Sequence, residues 1–176
     1  ICAVGSLINQ KGYEILLQAI QIVVEKRKVF LIIIGVGPLE LKLKILAKNM
    51  GLEKYVQFLG YTTNPYKYIK NSALFVHAAF YEGFPNVIIE AMVSRTPVIS
   101  TRAKYGPEEI IDHEFNGFLV SVGNCDELAE KINKVLDGNY TVKSIINNAY
   151  QKALNNYRYK LMCTKYENLF TKLFSR

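Results

Sequence analysis

Six short apolar runs rich in β-formers punctuate this chain, at 1 to 4, 29 to 35, 56 to 59, 73 to 77, 97 to 100 and 117 to 120. Between them apolar residues recur at helical spacing, as in Ile15, Leu16, Ala19, Ile20 and Val23, and again in Leu128, Ile132 and Val135. A run such as "VFLIIIGVG" at 29 to 37 has no polar alternation, so a strand made from it must be covered on both faces. Strands of that kind separated by helices form a parallel sheet with helices on either side, joined by right-handed crossovers. The expected fold is therefore α/β, a Rossmann-like three-layer domain with a six-stranded parallel sheet. After Gly123 the pattern becomes helical only, so extra C-terminal helices are expected from about residue 124, packed on the sheet or reaching toward a neighbour.

The 176 residues suit one domain with a substantial core. The first residue is Ile1, already inside an apolar run, so the chain reads as a domain cut from a longer protein. Cys2, Cys125 and Cys163 show no paired or metal-ligand spacing, which argues against a disulfide framework or zinc site and for a reducing compartment. The longest apolar run is far too short to cross a bilayer. A formal charge of +7 favours anionic partners, but the lysines are spread over many helices, where solvated faces account for most of them. No basic and aromatic signature of a nucleic-acid surface is present, so nucleic acid is not expected. An anionic small molecule or an anionic membrane surface fits the charge.

In a doubly wound sheet, ligands gather at the carboxyl ends of the strands, where helix N-termini offer free N–H groups and partial positive charge. Three loops lie there. In "GSLINQKGYE", residues 5 to 14, Gly5 and Gly12 permit tight geometry and Lys11 falls at the start of a helix. A cation there opposes the helix dipole, which suits a bound phosphate, although a loop lysine kept in water fits the same residues. In "GVGP", residues 35 to 38, the third glycine of a dinucleotide fingerprint is replaced by Glu40. The reading is then a tight strand-to-helix turn with Pro38 as first helical residue. In "EGFPNVIIEAM", residues 82 to 92, Gly83 and Pro85 make a turn into a helix, with Pro85 expected at its first position. The N–H groups near Asn86 and Val87 should then face the cleft. Glu90 is the sole charge from Phe84 to Ser94, flanked by Val87, Ile88, Ala91 and Met92. Such a carboxylate should be partly desolvated, and the hydroxyls of a polyol could satisfy it. A solvated Glu82 and a Glu90 paired with a lysine remain the plain alternatives. His77 and His113 are isolated and have no metal spacing. Only Asp112, Asp126 and Asp137 are aspartates, so no Asp-x-Asp holds a metal diphosphate.

At these residues the chain resembles the C-terminal, donor-binding domain of GT-B retaining glycosyltransferases of family 4, the glycosyl transferases group 1. The likeness rests on "VGSLINQKG", "GVGPLELKLKILAKNMGLEKYVQFLGY", "FYEGFPNVIIEAMVSRTPVIST" and "GPEEIIDHEFNGFLV", and it covers nearly the whole chain. It implies that Lys11 holds the donor diphosphate, with Gly5 and Ser6 in the same loop. It also implies that Glu90 binds the ribose and that Glu82 lies beside the transferred sugar, without being a covalent nucleophile. The backbone from Gly83 through Phe84, Pro85 and Asn86 to Val87 would touch sugar and phosphate, and that at Tyr61 and Thr62 would read the base. The implied substrate is a nucleoside-diphosphate sugar, with no cofactor and no metal.

The resemblance further implies surface polysaccharide or glycolipid synthesis in the cytoplasm, at the membrane face through peripheral contact. An N-terminal acceptor domain would be absent from this chain, leaving the fragment inactive alone. A sugar-phosphate or glucan synthase of the same fold, or a non-catalytic nucleotide-binding module, is the alternative. Two positions depart from the family pattern. Ser6 stands where many members have Arg, so Arg102 or Lys104 would share the phosphate. Arg95 stands where Gly is usual, and a left-handed Arg costs about 1 kcal/mol or more, so an altered turn is expected there.

Overall fold

The structure is a computed structural model that describes residues 1–174. Its strands are β1 (Cys2–Val4), β2 (Leu31–Ile34), β3 (Val56–Gly60), β4 (Phe75–His77), β5 (Val98–Thr101) and β6 (Phe118–Val120). They form one sheet in the order β3-β2-β1-β4-β5-β6, and every pairing is parallel. The helices are α1 (Tyr13–Lys26), α2 (Glu40–Asn49), α3 (Tyr66–Lys70), α4 (Asn86–Val93), α5 (Pro107–Ile110), α6 (Cys125–Leu136), α7 (Val142–Asn156) and α8 (Tyr159–Phe174).

Residues that alternate along each strand feed two separate cores, as the pleat requires. Ala3, Ile33, Val76, Ile99 and Phe118 face α1, α2 and α6, while Cys2, Ile34, Phe75, Val98 and Leu119 face α3, α4 and α7. Phe75 and Phe118 are completely buried, and burial of one such side chain stabilises by about 1.5–3 kcal/mol. The α6 start is capped by Asn124, whose side chain accepts from the Glu127 N–H at 3.0 Å, while Glu127 reaches back to the Ser121 N–H at 2.9 Å. Of the terminal helices, α7 packs Ala149 and Ala153 into the core beside α4, whereas α8 buries none of its side chains. Among the described residues, no helix is long and apolar enough to cross a membrane.

Local expectations need correction at three places. Pro38 is not the first helical residue, because a turn at residues 38 and 39 precedes Glu40, where α2 begins. The glycines of that loop serve close approach: a Cβ on Gly35 would fall 2.0 Å from the Gly5 carbonyl oxygen. Pro85 likewise stands one residue before α4, with ψ 89 placing it outside helical geometry.

Arg95 keeps the left-handed conformation, φ 59, rather than altering the turn. The α4 C-terminus closes as a Schellman motif, with Thr96 N–H donating to Ala91 O and Arg95 N–H to Met92 O, both at 3.1 Å. The Arg95 guanidinium lies 3.9 Å from the Tyr150 ring centroid on α7, and this stacking offsets the strain. Arg95→Gly is expected to change unfolding free energy by less than about 1 kcal/mol, since relief of strain and loss of stacking oppose each other. Urea denaturation checks this, and a much larger loss would mean that the stacking dominates.

Candidate functional site

The strand order reverses between β1 and β4, so the loops leaving their carboxyl ends diverge and open a crevice. A 3-10 turn, Asn9–Lys11, follows β1 and carries Lys11 into that crevice, while Glu82 enters it from the loop after β4. Backbone and side chain stitch the loops together. The Phe80 N–H donates to the Gln10 carbonyl at 2.8 Å, and Gln10 Nε2 donates to the Tyr81 carbonyl at 2.9 Å. The Lys11 ammonium consequently forms an ion pair with Glu82 Oε1, 71 positions later in the sequence.

Both groups are largely withdrawn from solvent, with side chains 21% and 8% exposed, and their pairing removes the plain readings of a free loop lysine and a free loop acid. Behind the pair stands His77, the last residue of β4, 4% exposed. Its Nε2 lies 3.0 Å from the same Glu82 Oε1, and its Nδ1 lies 3.0 Å from Ser100 Oγ on β5. Burial by itself would raise the Glu82 carboxyl, but hydrogen bonds from His77 and Lys11 outweigh it and hold the group below the usual carboxylate range. Stability from this lowered group is present above its unfolded pKa and is lost as pH falls through the folded value.

Glu90 differs in kind. It is the fifth residue of α4, half-buried, and among the described residues no hydrogen bond or ion pair reaches its carboxylate. Burial pushes its carboxyl upward. It lines a cleft of about 630 Å³ together with Phe84, Asn86, Tyr157, Lys165 and Tyr166, and Lys165 makes no ion pair with it. By contrast, the cavity bounded by Lys11, Tyr13, Val76 and His77 holds about 10 Å³, too little for more than a water. The roomy end of the site is thus at Glu90, while Lys11 and Glu82 are paired with each other at the opposite end.

Between these ends lies the first turn of α4. The Ile88 N–H bonds back to the Pro85 carbonyl at 3.0 Å, while those of Asn86 and Val87 have no intrahelical acceptor by the geometry of a helix start. Gly83 and Phe84 are exposed on the approach to that turn, where Phe84 packs edge-on against Tyr157 at 5.6 Å between centroids. Gly5 directs its carbonyl to the Tyr13 hydroxyl at 3.0 Å, and Ser6 beside it is exposed.

Other expected residues are not drawn in. Tyr61 and Thr62 follow β3 at the sheet edge, two strands from β1, and among the described residues no hydrogen bond ties them to Lys11 or Glu82. Arg102 is engaged with Glu108 at 3.4 Å. Lys104 lies opposite Tyr81 in a lone parallel bridge, which places its backbone beside the Glu82 loop. His77 is the residue that sequence spacing passed over. A histidine ending a strand just before a glycine-containing loop was the available signal, but metal-ligand spacing was the wrong pattern to seek.

Comparison with known proteins agrees with this fold. The glycosyl transferases group 1 model matches residues 1–152. An N-acetylgalactosamine-N,N'-diacetylbacillosaminyl-diphospho-undecaprenol 4-alpha-N-acetylgalactosaminyltransferase of Campylobacter jejuni is 33% identical over 153 residues, 87% of this chain and 41% of its own length. A poly(ribitol-phosphate) alpha-N-acetylglucosaminyltransferase of Staphylococcus aureus is 29% identical over 168 residues, 95% of this chain and 34% of its own. The crystal structure of Anabaena HepE in complex with UDP superposes with a TM-score of 0.90 at 26% identity, covering 97% of this chain and 48% of that one. The chain therefore spans between a third and a half of these relatives. With matched sequence, a shared parallel-sheet fold and a crevice at the reversal of strand order, the chain belongs to the glycosyl transferases group 1 family.

Proposed function

We propose that this chain is the donor-binding half of a retaining glycosyltransferase, which moves a sugar from a nucleoside-diphosphate sugar to an acceptor. The observation that carries the reading is the convergence of Lys11, Glu82 and the first turn of α4 where the strand order reverses. A leaving nucleoside diphosphate gains negative charge as its glycosidic bond breaks. The Lys11 ammonium and the N–H groups of Asn86 and Val87 meet that charge electrostatically, in a place prepared before the reaction starts. Glu82 then lies beside the sugar, with its Oε1 engaged by Lys11 and His77. Glu90 takes the ribose hydroxyls as hydrogen-bond donors.

The relatives named above act on a lipid diphosphate-linked glycan and on a poly(ribitol-phosphate). By likeness to them, this protein serves surface polysaccharide or glycolipid synthesis at a membrane face, with the acceptor held by another part of the enzyme. Titration calorimetry of the chain with UDP, GDP and ADP, against the corresponding nucleosides, tests the donor reading. One diphosphate is expected to bind well above its nucleoside, and the absence of binding by all three at millimolar concentration would reject it.

Glu90→Gln should separate binding from stability. The loss of hydrogen bonds to a charged acceptor is expected to weaken ribonucleoside diphosphates by about 1.5–3 kcal/mol, roughly ten- to hundredfold. A 2′,3′-dideoxy analogue should bind wild type and variant alike, and an equal loss for both ligands would mean that the carboxylate does not hold ribose. For stability, burial raises the Glu90 carboxyl above its unfolded value, so its ionised form is disfavoured by folding. The variant should be the more stable protein at pH above the folded pKa, and the difference should vanish below the unfolded carboxylate pKa. Urea denaturation on either side of that window reads the sign.

A further inference from the structure

His77 is nearly inaccessible, yet both of its ring nitrogens are engaged. The parallel register sets His77 directly opposite Ser100, so the serine hydroxyl is delivered by the β4 and β5 backbones and not by a mobile loop. An ionised Glu82 can only accept, so the proton on the facing nitrogen belongs to His77 Nε2, which donates at 3.0 Å. On the other side of the ring Nδ1 lies 3.0 Å from Ser100 Oγ, whose own hydroxyl reaches the Thr101 carbonyl at 3.1 Å, so a serine anchored to the β5 backbone fixes the ring's orientation. Both contacts to Glu82, from His77 and from Lys11, go to Oε1, and Oε2 makes no hydrogen bond among the described residues.

From this geometry we propose that His77, fixed by Ser100, is a positioning residue that pins Oε1 of Glu82 and thereby presents Oε2 to the sugar of the donor. The proposal rests on the donor-site reading above and deepens it. Lys11 cannot do this alone. Its long side chain moves toward the diphosphate when the donor arrives, and at that moment the carboxylate needs a second, rigid donor to keep its orientation. His77 supplies one from a strand end, among Glu82, Lys11, Tyr13 and Ser100 as the polar groups facing it from the neighbouring segments. The position then governs how the sugar is held, while the nucleotide is held elsewhere.

The test compares His77→Leu, which removes both contacts, with His77→Gln, whose side-chain amide can still donate to Glu82, and with Ser100→Ala. Each is titrated with UDP, UDP-glucose and UDP-N-acetylglucosamine after circular dichroism has confirmed folding. The UDP affinity should change less than about twofold in all three, while the preference of wild type for the better UDP-sugar over UDP should fall by about five- to thirtyfold in His77→Leu. His77→Gln should restore most of that preference, and Ser100→Ala should be intermediate. In parallel, the Glu82 carboxyl carbon is followed by NMR through a pH titration. Its midpoint should move up in His77→Leu and return in His77→Gln, a readout that needs no ligand. An unchanged Glu82 midpoint, or an unchanged sugar preference in a variant that still binds UDP, would overturn the positioning role alone. A wild-type chain that binds no nucleoside diphosphate would overturn the donor reading, and the positioning role with it.

Discussion

Gly12→Ala is expected to cost more than about 4 kcal/mol of unfolding free energy, enough to leave a domain of ordinary stability marginal at 25 °C. Gly12 caps the start of α1 at φ 64, and a Cβ there would lie 2.1 Å from the backbone carbonyl oxygen of Ala78. Left-handed strain by itself costs a non-glycine residue about 1–2 kcal/mol. The larger share comes from the overlap, because the colliding atom is backbone and cannot turn away as a side chain could. To relieve the clash, the turn bearing Lys11 must separate from the loop after β4, and this breaks the Gln10 bonds to Phe80 and Tyr81.

Gly51 is the internal control, since it has φ 70 but nothing within 4 Å of its would-be Cβ. Gly51→Ala should show the strain alone, so the difference between the two variants in urea denaturation measures the contact. If both lose the same amount, the loops are not held together by that approach. Because Lys11 adjoins Gly12, the variant should also lose nucleotide binding at temperatures where it remains folded.

The parts of this molecule that were legible in the sequence are those governed by local periodicity. Apolar runs separated by helical segments reveal the strands to within two residues, since a strand covered on both faces admits few polar side chains. The isolation of Glu90 in an apolar helix indicates a desolvated acid, and the structure finds it half-buried, its carboxylate without a partner among the described residues. What stayed hidden depends on register and on contacts distant in sequence. His77 gains its meaning from Ser100, which only the pairing of β4 with β5 sets beside it. Arg95 looks intolerable for the turn until Tyr150, 55 positions later, is found under its guanidinium. Pro85 and Pro38 read as helix starts because proline favours that position, but proline also favours the turn just before it.

Lys11→Ala should weaken UDP, or whichever nucleoside diphosphate the chain prefers, by about 2–3 kcal/mol, roughly thirty- to hundredfold, while the bare nucleoside changes little. Two effects add. The ammonium is the cation that the turn after β1 places in the crevice, so its loss removes a charge-assisted bond to phosphate. Its loss also leaves Glu82 with His77 as its remaining hydrogen-bond partner, so a carboxylate no longer neutralised by Lys11 faces the incoming diphosphate. The second effect is separable. In the double variant Lys11→Ala, Glu82→Gln, the repulsion is gone, and UDP affinity should recover by a part of the loss that depends on salt, as expected of a partly screened charge. Calorimetry at two ionic strengths completes the cycle. Equal losses for diphosphate and nucleoside would reject the phosphate role of Lys11. A double variant no better than Lys11→Ala alone would mean that Glu82 does not face the diphosphate, and that the ion pair serves chiefly to hold the two loops together.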